Sequence, residues 1–130
     1  MKIAVFALTR GYPEDKSKYD SLIERNYSIY KHINCKRENP TDMILFHEGN
    51  ISTEDQEYIS SKYEYQIIFR DVSEYFKKVD FRLEGEEKFN LGYRYMCRFN
   101  MYHIWDEISD YDYALRVDED IKISKFDPYI

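Results

Sequence analysis

The chain has 130 residues, with 19 Lys and Arg against 25 Asp and Glu, and a net charge of −6. That length fits one compact domain, residues 1–130. The acidic balance argues against nucleic acid as a partner, since binding to its phosphates normally needs a basic surface, and no apolar run is long enough to cross a bilayer.

Ile3–Leu8 is a continuous apolar run that stops at Thr9-Arg10-Gly11, the pattern of a strand buried on both faces. Pro13-Glu14-Asp15 opens a predicted helix, with acidic residues at its positive end. Tyr19, Leu22, Ile23, Tyr27, Ile29, Tyr30 and Ile33 then recur at helical spacing. Asn39-Pro40 closes the connection. Residues 43–47 (Met-Ile-Leu-Phe-His) form a second buried strand, ended by Gly49-Asn50. Thr53, with Gln56 three residues later, reads as a capping box for a short helix to about Lys62. A third strand is expected near residues 66–70. The charged stretch Asp80–Lys88 reads as a surface loop or flap. A helix resumes at Leu91, with Leu91, Tyr95, Phe99, Tyr102 and Trp105 on one side and Arg94 and Arg98 on another. Tyr111, Tyr113, Leu115 and Val117 alternate with Asp112, Ala114 and Arg116, so residues 112–117 are a strand. Strands alternating with helices predict a parallel sheet with right-handed crossovers.

The chemistry concentrates at Asp118-Glu119-Asp120, where the last strand ends. In extended chain, Asp118 and Asp120 share one side and Glu119 takes the other. Two adjacent carboxylates repel, and a divalent cation relieves the repulsion. Hard oxygen ligands suit Mg²⁺ or Mn²⁺, which keep positions open for water and substrate phosphates. Open α/β sheets also bind ligands beyond the carboxyl ends of their strands. Arg94 and Arg98 could neutralise a diphosphate, or could be structural arginines holding acidic loops. By alternation Arg116 faces the same way as Asp118 and reads as a partner for a nearby carboxylate.

The block Leu91-Gly92-Tyr93-Arg94-Tyr95-Met96-Cys97-Arg98-Phe99-Asn100, followed by Tyr111-Asp112-Tyr113-Ala114-Leu115-Arg116-Val117-Asp118-Glu119-Asp120-Ile121-Lys122, resembles the fungal α-1,2-mannosyltransferase family, the glycolipid 2-α-mannosyltransferases. The two blocks lie in about the last third of the chain. The resemblance implies the GT-A fold, a Rossmann-like α/β nucleotide-diphospho-sugar transferase fold with a mainly parallel sheet and flanking helices. It also implies retaining glycosyl transfer from GDP-mannose with Mn²⁺. By it, Asp120 coordinates the metal, and Asp118 shares it or sits near the ribose or donor sugar. GT-A geometry would bring Thr9, Arg10 and Gly11 to the nucleotide. Tyr95 replaces the family's usual His, Asn100-Met101-Tyr102 replaces a small-residue stretch, and Asp-Glu-Asp stands where the family often has Glu-x-Asp. The last departure weakens the claim to mannose specifically.

The family's catalytic carboxylate lies beyond this strand, so no catalytic residue is assigned. With only Ile121–Ile130 after the triplet, the sequence reads as the donor-binding half of such a fold, truncated after the acidic strand. Self-association or a partner chain would then cover the open sheet edge. The acceptor would be a glycan, lipid or protein hydroxyl. Without a signal peptide, the chain is expected in the cytoplasm, or in the Golgi lumen if an anchor has been removed.

Rival readings are a non-catalytic nucleotide-sugar-binding module, one half of a split enzyme, and an Asp-dependent phosphatase. The phosphatase ranks low because such enzymes carry Asp-x-Asp after their first strand. His32, His47 and His103 lack metal-ligand spacing. Cys35 and Cys97 are expected as buried, reduced thiols. No glycine-rich phosphate loop or nucleophile elbow is present.

Overall fold

The structure, a computed structural model, describes residues 1–62, 64–76 and 91–125, with backbone alone for 91–94. The charged stretch Asp80–Lys88 lies outside the described residues. Four strands, β1 (Ile3–Leu8), β2 (Asp42–His47), β3 (Ile67–Asp71) and β4 (Tyr113–Arg116), form one sheet in the order β3-β2-β1-β4. All three pairings are parallel, with Val5 opposite both Met43 and Leu115, and Met43 opposite Ile67. The helices are α1 (Asp20–His32), α2 (Thr53–Ser60), α3 (Leu91–Arg98) and α4 (Ile104–Glu107), with a π-turn at Phe99–His103 joining the last two.

Period two along the strands sorts the core into two faces. Ala4, Phe6, Ile44 and Phe46 pack against Val72, Phe99, Ile104 and Ile108. Val5, Ala7, Met43 and Leu45 point the other way, toward Tyr19, Leu22, Ile23, Ile29, Ile33 and Ile59. The central strands are therefore apolar at nearly every position because helices cover both faces. Each large side chain buried this way contributes roughly 1.5–3 kcal/mol.

Local signals shift several expected boundaries. Asp15 does start a helical segment, but as the cap of a 3₁₀ turn, Lys16–Tyr19, its carboxylate accepting from Ser17 N. The α-helix begins at Asp20, after Tyr19 has turned inward to donate its hydroxyl to the buried Asp55. Ser52, not Thr53, caps α2, accepting from Asp55 N at 3.1 Å. Gln56 closes no capping box; its amide donates to Ile51 O.

The π-turn corrects the face drawn through Leu91 to Trp105. Tyr95 and Phe99 are buried, but Tyr102 and Trp105 are 70% and 66% exposed. One π-turn adds a residue to the helical ladder. That extra residue rotates the remainder of the helix and brings Ile104 and Ile108 inward instead. Cys35 is exposed and Cys97 half-buried, against the expectation of two buried thiols. Cys35 falls in the 3₁₀ turn Asn34–Lys36, past the buried end of α1.

β4 lies at the sheet edge, so Tyr113–Arg116 are all exposed despite their apolar alternation. Its register is fixed at the entry. Asp112 accepts from Lys2 N at 2.7 Å and returns its own N–H to Lys2 O at 2.8 Å. No described helix is long and apolar enough to cross a membrane.

Candidate functional site

The carboxyl ends of β1 and β4 lie side by side, with Val117 N donating to Phe6 O at 3.0 Å. Past this point the chain turns through the acidic triplet, closed by Ile121 N on Asp118 O at 3.1 Å. Glu119 points toward the β1 loop. Its Oε2 accepts from Thr9 Oγ1 at 2.7 Å and from Arg10 N at 3.2 Å. Asp118 forms an ion pair with Arg116 at 3.1 Å, which fits their shared side of the strand. Both groups are about half exposed, so the pair contributes little to stability.

The loop is also tied to α1 at both ends. Arg25 is fully buried, and its Nε and Nη2 donate to Val117 O at 2.9 and 2.8 Å. Its Nη1 donates to Asn26 Oδ1 at 2.8 Å. Burial pushes the guanidinium down to about 10, opposed by the nearby Asp118 and Glu119 charges. It stays cationic at neutral pH and places a fixed positive charge beneath the triplet. At the far end Ser28 Oγ accepts from Ile123 N at 3.0 Å, and Lys122 pairs with Glu24 across the surface.

A cavity of about 400 Å³ opens against the triplet, walled by Leu8, Met96, Cys97, Asn100, Met101 and Arg116 together with Asp118, Glu119 and Asp120. A smaller one of about 130 Å³ lies on the β1–α1 side, where Tyr12, Lys18 and Ser21 meet Glu119 and Asp120. The arrangement presents carboxylates between two recesses at the carboxyl end of a parallel sheet, where open α/β folds take ligands.

No protein-family profile and no curated protein matches the sequence. A solved structure does. Core-mannan synthase A from Aspergillus fumigatus, in its Mn/GDP form, superposes with a TM-score of 0.67 at 16% identity, over 98% of this chain and 38% of that one. The chain has a GT-A fold. At that identity the likeness is one of fold, and the chain spans well under half the length of that neighbour.

Within this GT-A frame the residues singled out by sequence fare unequally. Asp118 and Asp120 line one cavity, but the triplet is a turn rather than extended chain, and Glu119 lines that cavity with them instead of taking the other side. Thr9 is 2% exposed, and its hydroxyl is taken by Glu119, so it braces the triplet rather than standing free. Arg10 is exposed and contributes its N–H to the same carboxylate. Gly11 is required by packing, because a Cβ there would collide with the backbone carbonyl of Asn50.

Arg98 is not among the cavity walls. It is half-buried, whereas Met96, Cys97, Asn100 and Met101 line the cavity. Its Nη1 is buried without a partner among the described residues. The Arg94 side chain lies outside the described residues. Arg116 and Lys18 are the cations that do border the two recesses. Of the histidines, only His47 is buried. Its Nδ1 accepts from Gly49 N at 3.1 Å, and burial lowers its pKa.

Sequence reading missed Arg25. The signal for Arg25 was its position on the apolar face of α1, where Leu22, Arg25, Asn26 and Ile29 follow one another at helical spacing. A charge on such a face needs an internal partner.

The donor set bears on a metal. Among the described residues no three His, Cys, Asp or Glu side chains are grouped to enclose an ion. Two carboxylates at a cavity mouth fit Mg²⁺ or Mn²⁺, which bind through one or two carboxylates and complete their shell with water and ligand phosphates. They do not fit a closed structural zinc site.

Proposed function

We propose that this chain is the donor-binding part of a metal-dependent glycosyltransferase that moves a sugar from a nucleotide diphospho-sugar to an acceptor hydroxyl. The observation that carries this reading is the acidic triplet, held at the carboxyl end of β4 by Arg25 and Thr9 and facing a cavity of about 400 Å³. The GT-A fold adds to it, as does the resemblance of the two sequence blocks to the α-1,2-mannosyltransferases. GDP-mannose is the proposed donor and Mn²⁺ the proposed ion.

Asp118 and Asp120 would hold the divalent ion, which supplies positive charge to a diphosphate leaving group. Arg25 fixes the backbone from which they project, so their positions are set before a ligand arrives. Such preorganisation is what makes fixed charges effective on developing negative charge. Thr9 and Arg10 fix the Glu119 carboxylate between the two recesses. Arg116, paired with Asp118 in this structure, would be available to a phosphate oxygen were that carboxylate to hold an ion. The cavity offers no carboxylate beyond the triplet among its described walls, so donor binding is the property to assay first.

The test is a thermal-shift series with GDP, UDP and CMP and their sugars, with and without Mn²⁺. A ligand that binds only the folded chain raises its melting temperature by mass action. The expected result is stabilisation that requires Mn²⁺ and is larger for GDP than for UDP. Preference for UDP would remove mannose and leave the reaction class. No stabilisation by any nucleotide would overturn the reading.

A further inference from the structure

β4 ends the sheet, and its outer backbone pairs with no strand among the described residues. Tyr113 N and Val117 N both donate toward β1, to Lys2 O and Phe6 O. Period two therefore turns the N–H and C=O of Ala114 and Arg116 to the open side. Such an edge is a template for another strand, and natural edges are usually blunted by proline, lysine or a bulge. Tyr113-Ala114-Leu115 carries no proline or lysine, and its register with β1 runs without a bulge. Tyr113 and Leu115 stay 53% and 39% exposed, beside an apolar cavity of about 180 Å³ formed with Ile3, Val5 and Ile33.

The strand is also complementary to itself. Run antiparallel about Ala114, Asp112-Tyr113-Ala114-Leu115-Arg116 sets Asp112 against Arg116 of a second copy, Tyr113 against Leu115, and Ala114 against Ala114. The hydrogen-bonding phase agrees, because Ala114 faces outward in both copies and such a pair exchanges both N–H···O bonds. Tyr113 and Leu115 then take the intervening positions, where side chains approach most closely. Opposite charges facing each other across strands stabilise the pairing. Asp112 gives one carboxylate oxygen to Lys2 N and has a second. Arg116 meets Asp118 through Nε, and its guanidinium carries further donors. The neighbouring register one way sets Asp112 against Asp118. The other way sets Leu115 opposite Tyr111, outside the second copy's strand.

We propose that this chain forms a twofold dimer in which β4 pairs antiparallel with β4 of a second copy, centred on Ala114, so that two four-stranded sheets become one. The inference requires no nucleotide and stands apart from the donor-binding reading.

The test is sedimentation velocity across a dilution series of the full chain, on the wild type, Ala114→Pro, Ala114→Glu and Ala114→Lys, each checked for a native melting transition. The wild type should pass from dimer to monomer on dilution. Ala114→Pro removes an N–H that β1 does not use, a change edge strands tolerate. It should weaken the dimer about 10- to 100-fold, the effect of losing one hydrogen bond from each copy. Ala114→Glu and Ala114→Lys each set like charges face to face, so each alone should dimerise more weakly than the wild type. An equimolar mixture of those two should recover the dimer. A wild type that is monomeric at every concentration overturns the proposal and leaves the edge to a different chain. A dimer unchanged by all three substitutions overturns it too, by placing the contact elsewhere. A mixture no more associated than its two components refutes the pairing of Ala114 with Ala114.

Discussion

Arg25→Met should destabilise the fold and blunt the site together. The guanidinium gives two donors to one carbonyl, Val117 O, and Val117 is 3% exposed, so water cannot easily replace them. Methionine keeps most of the stem volume but leaves that carbonyl unpaired, at a cost of about 1–3 kcal/mol. It also removes a cation whose burial is unfavourable, as its lowered pKa shows, which offsets part of the loss and argues for the middle of that range. An unfolding entropy of about 2.1 cal/mol/K per residue makes 1 kcal/mol worth roughly 4 °C in a chain of this size. The expected drop in melting temperature is therefore about 8 °C. Arg25→Lys should lose nearly as much, because one ammonium cannot reproduce the paired geometry. Mn²⁺-dependent nucleotide affinity, measured well below the transition, should fall as well, since the backbone entering the triplet loses its anchor. Thermal melts and nucleotide titrations on the same samples read both effects. A melting temperature within 1–2 °C of the wild type, on the same roughly 4 °C per kcal/mol scale, would refute the role given to this contact.

Asp120→Ala should leave the fold nearly as stable as the wild type, because the residue is exposed, while Mn²⁺-dependent nucleotide binding disappears; a variant that binds with unchanged Mn²⁺ dependence would exclude Asp120 as a ligand. Gly11→Ala should cost about 1–3 kcal/mol, read as a lower urea midpoint, because the added methyl meets the Asn50 carbonyl rather than a movable side chain. His47 should make the fold acid-sensitive. Its folded pKa lies below the ordinary histidine value of 6.5, so the unfolded chain takes up the proton first and stability falls as pH drops through that value. Protonation would also remove the Nδ1 lone pair that accepts from Gly49 N. Urea midpoints for His47→Gln between pH 7 and pH 5 should be flatter than those of the wild type, and parallel curves would contradict the assignment.

The sheet was legible because its central strands are buried on both faces, which leaves unbroken apolar runs that few other structures produce. The acidic triplet was legible because it comes directly after the alternating strand β4. The features that escaped were set by tertiary packing. Nothing in Phe99-Asn100-Met101-Tyr102-His103 announces a π-turn, so helical spacing carried the buried face through Tyr102 and Trp105. Arg25 sits on the apolar face of α1, but spacing alone does not name the backbone carbonyl that it meets. The alternation along residues 111–117 marked a strand correctly but said nothing of its place at the edge. Cys35 looked apolar in context, yet its exposure depends on where α1 ends.

The bond between Thr9 and Glu119 joins residues 110 apart in sequence, and β1 pairs β4 across a similar span. Contacts this remote form late, because closing a long loop costs entropy before any pairing offsets it. During synthesis β1 and β2 can meet while β4 is still being made. The carboxylate loop, the arginine beneath it and the threonine beside it come together only when nearly all the described chain has emerged. Metal-dependent nucleotide binding would thus report completed folding, appearing in one step rather than growing with chain length.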